Sequence, residues 1–115
     1  MITIIAGSRT CNDYNILLSA ISSIDWIPST IISGTARGAD KLGERWALEN
    51  NIQLVRFPAQ WNKYSKRAGF IRNEDMAKKA DALIAIWDGY SSGTKSMIEL
   101  AKKYKLVIYI TYSIA

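Results

Sequence analysis

Histidine is absent from this 115-residue chain, cysteine occurs once and proline twice. Without histidine there is no Ser-His-Asp triad, no imidazole base and no histidine metal site. Acid–base chemistry therefore falls to Asp, Glu, Lys, Tyr or Cys. The lone Cys11 excludes an internal disulfide and a cysteine zinc cluster, and it fits a reducing, cytoplasmic setting. No metal and no cofactor is expected. Also missing is any apolar run near the ~20 residues of a membrane helix, so no membrane partner is expected. The opening MITIIAGSRT has no basic stretch ahead of its apolar residues, and reads as a first β-strand rather than a signal peptide.

What is present is an ordinary globular composition, 49% apolar and 22% charged, over about one domain's length. Residues 1–115 are expected to form a single domain, with no repeat, linker or low-complexity stretch. Fifteen Lys+Arg against ten Asp+Glu give a formal charge of +5, which favours polyanions in general. Much of that excess lies on Lys63, Lys66, Lys78, Lys79, Lys102, Lys103 and Lys105, where solvated helix faces are the plainer account of it.

Apolar and helical periods alternate along the chain. Ile2–Ala6 is an isoleucine-rich strand of the kind covered on both faces. Asn12 or Asp13 caps a helix running to about Ser23, with Ile16, Leu17, Ala20, Ile21 and Ile24 on its inner stripe. Pro28 breaks the chain before a strand at Thr30–Ser33. A helix from Ala39 to Asn50 buries Ala39, Leu42, Trp46 and Ala47, and a strand at Ile52–Phe57 is closed by Pro58. Residues 59–71 read as a loop or short helix. A helix at Ile71–Lys79, a strand at Ala82–Trp87, a helix at Thr94–Lys103 and a strand at Leu106–Ile110 follow. Trp46 and Trp87 read as core residues. Strands alternating with helices predict a single Rossmann-like open parallel α/β sheet of about five strands, with helices on both faces.

Three small-residue turns then fall at carboxyl ends of strands, where open parallel sheets bind ligands. They are Gly7-Ser8-Arg9, the loop Ser33-Gly34-Thr35-Ala36-Arg37-Gly38-Ala39-Asp40, and Asp88-Gly89-Tyr90-Ser91-Ser92-Gly93-Thr94. Glycine lets the backbone approach a ligand closely, and a helix opening from such a turn points free N–H groups at an anion. Ser8 and Arg9 suit a phosphate, the arginine through two parallel bonds, although an ordinary strand-to-helix turn reads the same way. Ser33, Gly34, Arg37 and Gly38 form the strongest such element. Asp40 is either a helix cap, a ribose acceptor or a holder of Arg37. Ser92, Gly93 and Thr94 suit a second phosphate or a ribose, with Thr94 alternatively an N-cap, and Asp88 can meet a base or ribose edge.

Further candidates flank these turns. Arg72 and Asn73 resemble a second clamp on the same edge. Trp61 and Tyr64, interleaved with Lys63, Lys66 and Arg67, form either an aromatic lid for a base or packing beneath a loop. Glu99 is an exposed helix glutamate or, together with Asp88 and Asp40, a weak acid–base candidate.

The succession IIAGSRT, ISGTARGADKLGERWA, RFPAQWNKY, AGFIRNEDMA, ALIAIWDG and SSGTKSMIELAKK resembles the YspA/YpsA-like branch of the SLOG superfamily, which is related to the lonely-guy phosphoribohydrolases and the DprA-type Rossmann domain. That resemblance implies a Rossmann-like domain binding nucleotides or nucleotide-derived ligands, often as a dimer. Some relatives hydrolyse nucleoside monophosphates at the base–ribose bond, others sense nucleotide-derived signals in defence against phage, and one branch binds single-stranded DNA. The hydrolases carry a Gly-Gly-x-Gly-Thr loop with a catalytic glutamate three residues after the threonine. Here Asp88-Gly89 opens the loop and Met97 holds that later position, so the resemblance implies ligand binding rather than hydrolysis. The expected protein is a sensor or sequestering module for a nucleotide-derived small molecule, acting as a homodimer or higher homo-oligomer. An N-glycosidic hydrolase and a single-stranded nucleic-acid binder are the alternatives.

Overall fold

Alternating side chains on the two central strands separate the core into two layers. Ile2–Gly7 (β1) and Ala82–Trp87 (β4) are apolar almost throughout because both of their faces are covered. In this computed structural model, which describes residues 1–113, Ile4, Ala6, Leu83 and Ala85 face one layer of helices, while Ile5, Ile84 and Ile86 face the other. The last two positions of the expected domain lie outside the described residues.

Tyr14–Ser23 (α1) and Ala39–Glu49 (α2) cover the second face through Leu17, Ala20, Ala39 and Ala47. Ala68–Lys79 (α4) and Ser92–Lys103 (α5) cover the first through Met76, Ala77, Met97, Ile98 and Ala101. Between them lie the strands Thr30–Ser33 (β2), Gln53–Arg56 (β3) and Val107–Tyr112 (β5), and the short helix Trp61–Tyr64 (α3). All strand pairs are parallel, in the order β3-β2-β1-β4-β5. The Rossmann-like open sheet expected from the sequence is therefore the fold.

Element boundaries differ from the sequence expectation where helix ends compete for backbone groups. The Ile52 amide donates to the Ala47 carbonyl at 2.9 Å to close α2, so β3 starts a residue later than expected. Leu106 does the same for α5, donating to Ala101 at 2.9 Å. Strand β5 then continues past Ile110, because Thr111 and Tyr112 pair with Ile86 and Trp87. The segment 59–71 is more ordered than a loop: α3 leads through a 3-10 turn at Ser65–Arg67 directly into α4, which begins at Ala68 rather than Ile71. Helix α5 starts at Ser92, with Ser91 rather than Thr94 at the N-cap position.

A strand order that reverses direction beside β1 creates a crevice above the carboxyl ends of β1 and β4. Both loops that follow these strands enter that crevice.

Candidate functional site

Ser8 ties together the loops that follow β1, β2 and β4. Its amide donates to the Ile86 carbonyl at 2.9 Å, and its Oγ accepts the Asp88 amide at 2.9 Å. Its carbonyl accepts from Cys11 and Ala39, each at 3.2 Å. Gly38 stands against that same carbonyl with φ +76°, so a Cβ here would both strain the backbone and strike Ser8. The structure therefore uses Ser8 and Gly38 to hold the loops in place.

Around this tie opens a cleft of about 640 Å³, a volume suited to a small ligand. Gly7 at the end of β1 contributes with Arg9 and Thr10 of the following loop, as do Ala36 of the β2–α2 loop and Asp40 of the first turn of α2. The β4 loop and α5 supply Asp88, Ser91, Ser92, Gly93, Thr94, Ser96 and Met97. The opposite wall comes from the α3–α4 segment, with Trp61, Lys66, Gly69, Phe70, Arg72, Asn73 and Met76. Trp61 is 53% exposed and Phe70 52% exposed, so two aromatic rings stand open to solvent at one rim.

The loop between β2 and α2 is bent inward by hydrogen bonds to side chains. Thr35 takes φ +67°, a costly conformation for a β-branched residue. Its amide is held by Ser33 Oγ at 3.0 Å, and the Ala36 amide by Asp40 Oδ2 at 3.0 Å. Asp40 is thus not the helix cap; Gly38 occupies that position. Only 5% exposed, Asp40 has its pKa pushed up to about 6 by burial, against the opposing pull of the Ala36 amide and the Arg72 charge.

Arg72 crosses from α4 to this loop. Its Nη1 donates to the Gly34 carbonyl, and its Nε to Asn73 Oδ1 at 2.8 Å. Gly34 has no Cβ in the way: one placed there would stand 2.8 Å from Arg72 Nη1 and 2.9 Å from Asp40 Oδ2. Burial lowers the Arg72 pKa, Asp40 supports its charge and neighbouring Arg9 opposes it. Neither Arg9 nor Arg72 enters an ion pair among the described residues. Two like charges therefore line one cleft with only the nearby Asp40 carboxylate, which makes no salt bridge, to offset Arg72.

Asp88 organises the other wall. Its Oδ1 accepts the Ser91 and Tyr90 amides, both at 2.8 Å, and these bonds hold its carboxyl below the usual range. Ser91 Oγ donates to Thr94 Oγ1 at 2.8 Å, and Thr94 is buried at the first turn of α5. Asn73 reaches across from α4, donating through Nδ2 to the Gly93 carbonyl at 3.5 Å.

Among the residues singled out from sequence, Gly7, Arg9, Asp40, Trp61, Arg72, Asn73, Asp88, Ser92, Gly93 and Thr94 line the cleft together. Ser8, Gly34 and Gly38 support it from beneath. Ser33 is turned inward, donating to Glu44 Oε2 at 2.7 Å. Arg37 is exposed and lies outside the lining, and Asp40 adjoins Arg72 instead of holding it. Glu99 is exposed on α5, away from the cleft, while Met97 faces into it. Sequence reasoning missed Phe70, Ser91 and Glu44. Phe70 lay just ahead of the expected helix, and only the actual start at Ala68 gives it a helical face. Glu44 is buried beside Ser33 and Arg56, one helical turn past Asp40, and that i,i+4 spacing was its only signal.

A family model described as "YspA, cpYpsA-related SLOG family" matches residues 1–64. The chain is also similar to the Gene 61 protein of Mycobacterium phage D29, at 31% identity over 109 residues covering 87% of each chain. No solved structure matches it.

Proposed function

From the premise that the chain belongs to the YspA, cpYpsA-related SLOG family, we propose that its cleft binds a nucleotide or nucleotide-derived ligand. The observation that carries this reading is the pair Arg9 and Arg72, neither in a salt bridge among the described residues, lining one cleft with Ser92, Gly93 and Thr94 at the opening of α5. A phosphate set there meets two planar guanidinium donors and the free N–H groups at the start of α5, around Ser92, Gly93 and Thr94. Hydrogen bonds to charged groups contribute about 1.5–3 kcal/mol each, so one phosphate held this way supplies much of a micromolar affinity. Trp61 offers a face for a base, and Asn73 and Asp88 offer polar groups for ribose or base.

Binding is favoured over hydrolysis because Met97, not a carboxylate, faces the cleft three residues after Thr94. Binding without turnover suits sensing or sequestering a signalling nucleotide, and the likeness to a phage protein agrees with a place in phage–host conflict. A cytoplasmic homodimer belongs to the same reading. Thermal-shift screening against mononucleotides, cyclic nucleotides and ADP-ribose derivatives tests it, since a ligand that binds only the folded state raises Tm. A panel that leaves Tm unmoved at millimolar ligand overturns it.

One observation favours a second reading, hydrolysis of an N-glycosidic bond. Asp40 is a buried carboxylate at the cleft wall whose pKa of about 6 suits a proton donor. That reading requires release of free base, seen by chromatography and lost in Asp40→Asn. Chemically unchanged nucleotides after prolonged incubation eliminate it.

A further inference from the structure

A second cleft, of about 330 Å³, adjoins the first, and Arg72 is a wall of both. Phe57, Tyr64, Arg56 and Lys63 line this second cleft together with Arg72, against a single carboxylate, Asp75. Arg56 is partly neutralised by Glu44 at 3.2 Å, but Lys63 enters no ion pair among the described residues and stands 5.1 Å from the Tyr64 ring centre. The short helix α3 separates the two spaces, presenting Trp61 to one and Tyr64 to the other.

The arrangement repeats itself about Arg72. On one side lie Trp61 and Phe70 with Arg9; on the other lie Phe57 and Tyr64 with Lys63. Two of the five guanidinium N–H groups are spent on Gly34 and Asn73, leaving three to meet an anion. Resting on the nucleotide reading above, we propose that the ligand is a dinucleotide: two nucleoside units joined through phosphate, with the bridging phosphate on Arg72 and one base in each cleft. Each base meets an aromatic face, and stacking of this kind contributes without regard to base identity. A mononucleotide fills only the larger cleft and leaves Phe57, Tyr64 and Lys63 unused.

The test is calorimetric titration of the whole chain with AMP and GMP, and with phosphate-bridged dinucleotides of the same bases. Dinucleotides should bind at least about tenfold more tightly than the mononucleotides. Lys63→Glu, which alters an exposed side chain, should remove most of that advantage while leaving mononucleotide affinity within about twofold. Tyr64→Ala should act in the same way, and Arg72→Ala should weaken both ligands. Equal affinity for one and two units, or an advantage that survives both Lys63→Glu and Tyr64→Ala, overturns the proposal and leaves the mononucleotide reading standing. If neither the mononucleotides nor the dinucleotides bind, the dinucleotide proposal falls, and the nucleotide reading falls with it only when the cyclic nucleotides and ADP-ribose derivatives also leave Tm unmoved. A longer single strand that binds tighter still, with an affinity falling steeply with salt, overturns it in favour of nucleic acid.

Discussion

Ser8 Oγ accepts the backbone amide of Asp88 at 2.9 Å, joining the loop after β1 to the loop after β4 across 80 positions of sequence. Through this bond two separate small-residue turns become walls of one cleft. The residue that looked suited to holding a ligand instead holds the site's geometry.

Ser8→Ala should therefore act first on stability. It leaves a partly buried amide without its acceptor, which costs about 1–3 kcal/mol. Thermal denaturation should show Tm lower by several degrees, with ligand affinity falling alongside. An unchanged Tm would mean that the two loops are held by other contacts.

Asp40 should set a pH dependence. Burial raises its pKa from the usual 3.8 to about 6, so between those values the folded chain keeps a proton that the unfolded chain has released. Stability is then greatest below the lower value and falls as pH rises through the window, by about 3 kcal/mol in total. Asp40→Asn keeps an acceptor for the Ala36 amide without the charge. It should melt above the wild type near pH ~8, and that difference should shrink toward pH ~4. A variant equally destabilised at both pH values would contradict this account.

Gly34→Ala should separate folding from binding. Its Cβ would stand 2.8 Å from Arg72 Nη1 and 2.9 Å from Asp40 Oδ2, and the long arginine side chain swings away more readily than the short Asp40 carboxylate, which is held by the Ala36 amide. Circular dichroism should remain that of the wild type, while nucleotide affinity drops about tenfold or more as Arg72 leaves its position. Retained affinity would remove Arg72 from the site.

Trp61→Ala should cost little stability, because the residue is already about half exposed. Loss of stacking should weaken nucleotide binding by about 1–3 kcal/mol, and inorganic phosphate binding should be unaffected. Equal weakening of both ligands would show that Trp61 shapes the cleft instead of facing a base.

The strands and their turns were legible because burial on both faces writes a continuous apolar run. Ala82–Trp87 begins and ends as expected, and the glycine- and serine-rich turns fall at carboxyl ends of strands as they should. Side-chain direction was not legible. Arg37 at the end of the loop and Asp40 in the first turn of α2 lie three residues apart, yet one is exposed and the other buried, with Gly38 at a positive φ between them. Arg72 could be placed on the right edge, but its docking on the Gly34 carbonyl depends on α4 beginning at Ala68, directly out of a 3-10 turn that has no strong sequence mark.

Arg9 and Arg72 are proposed to form the anion-binding wall of this cleft. Calorimetric titration of a nucleotide into wild type, Arg9→Ala, Arg72→Ala and Arg37→Ala tests it most directly. Binding should weaken at least about tenfold in each of the first two variants and change less than about twofold in Arg37→Ala. Full affinity in Arg9→Ala and Arg72→Ala, with binding lost in Arg37→Ala, would place the ligand elsewhere on the molecule.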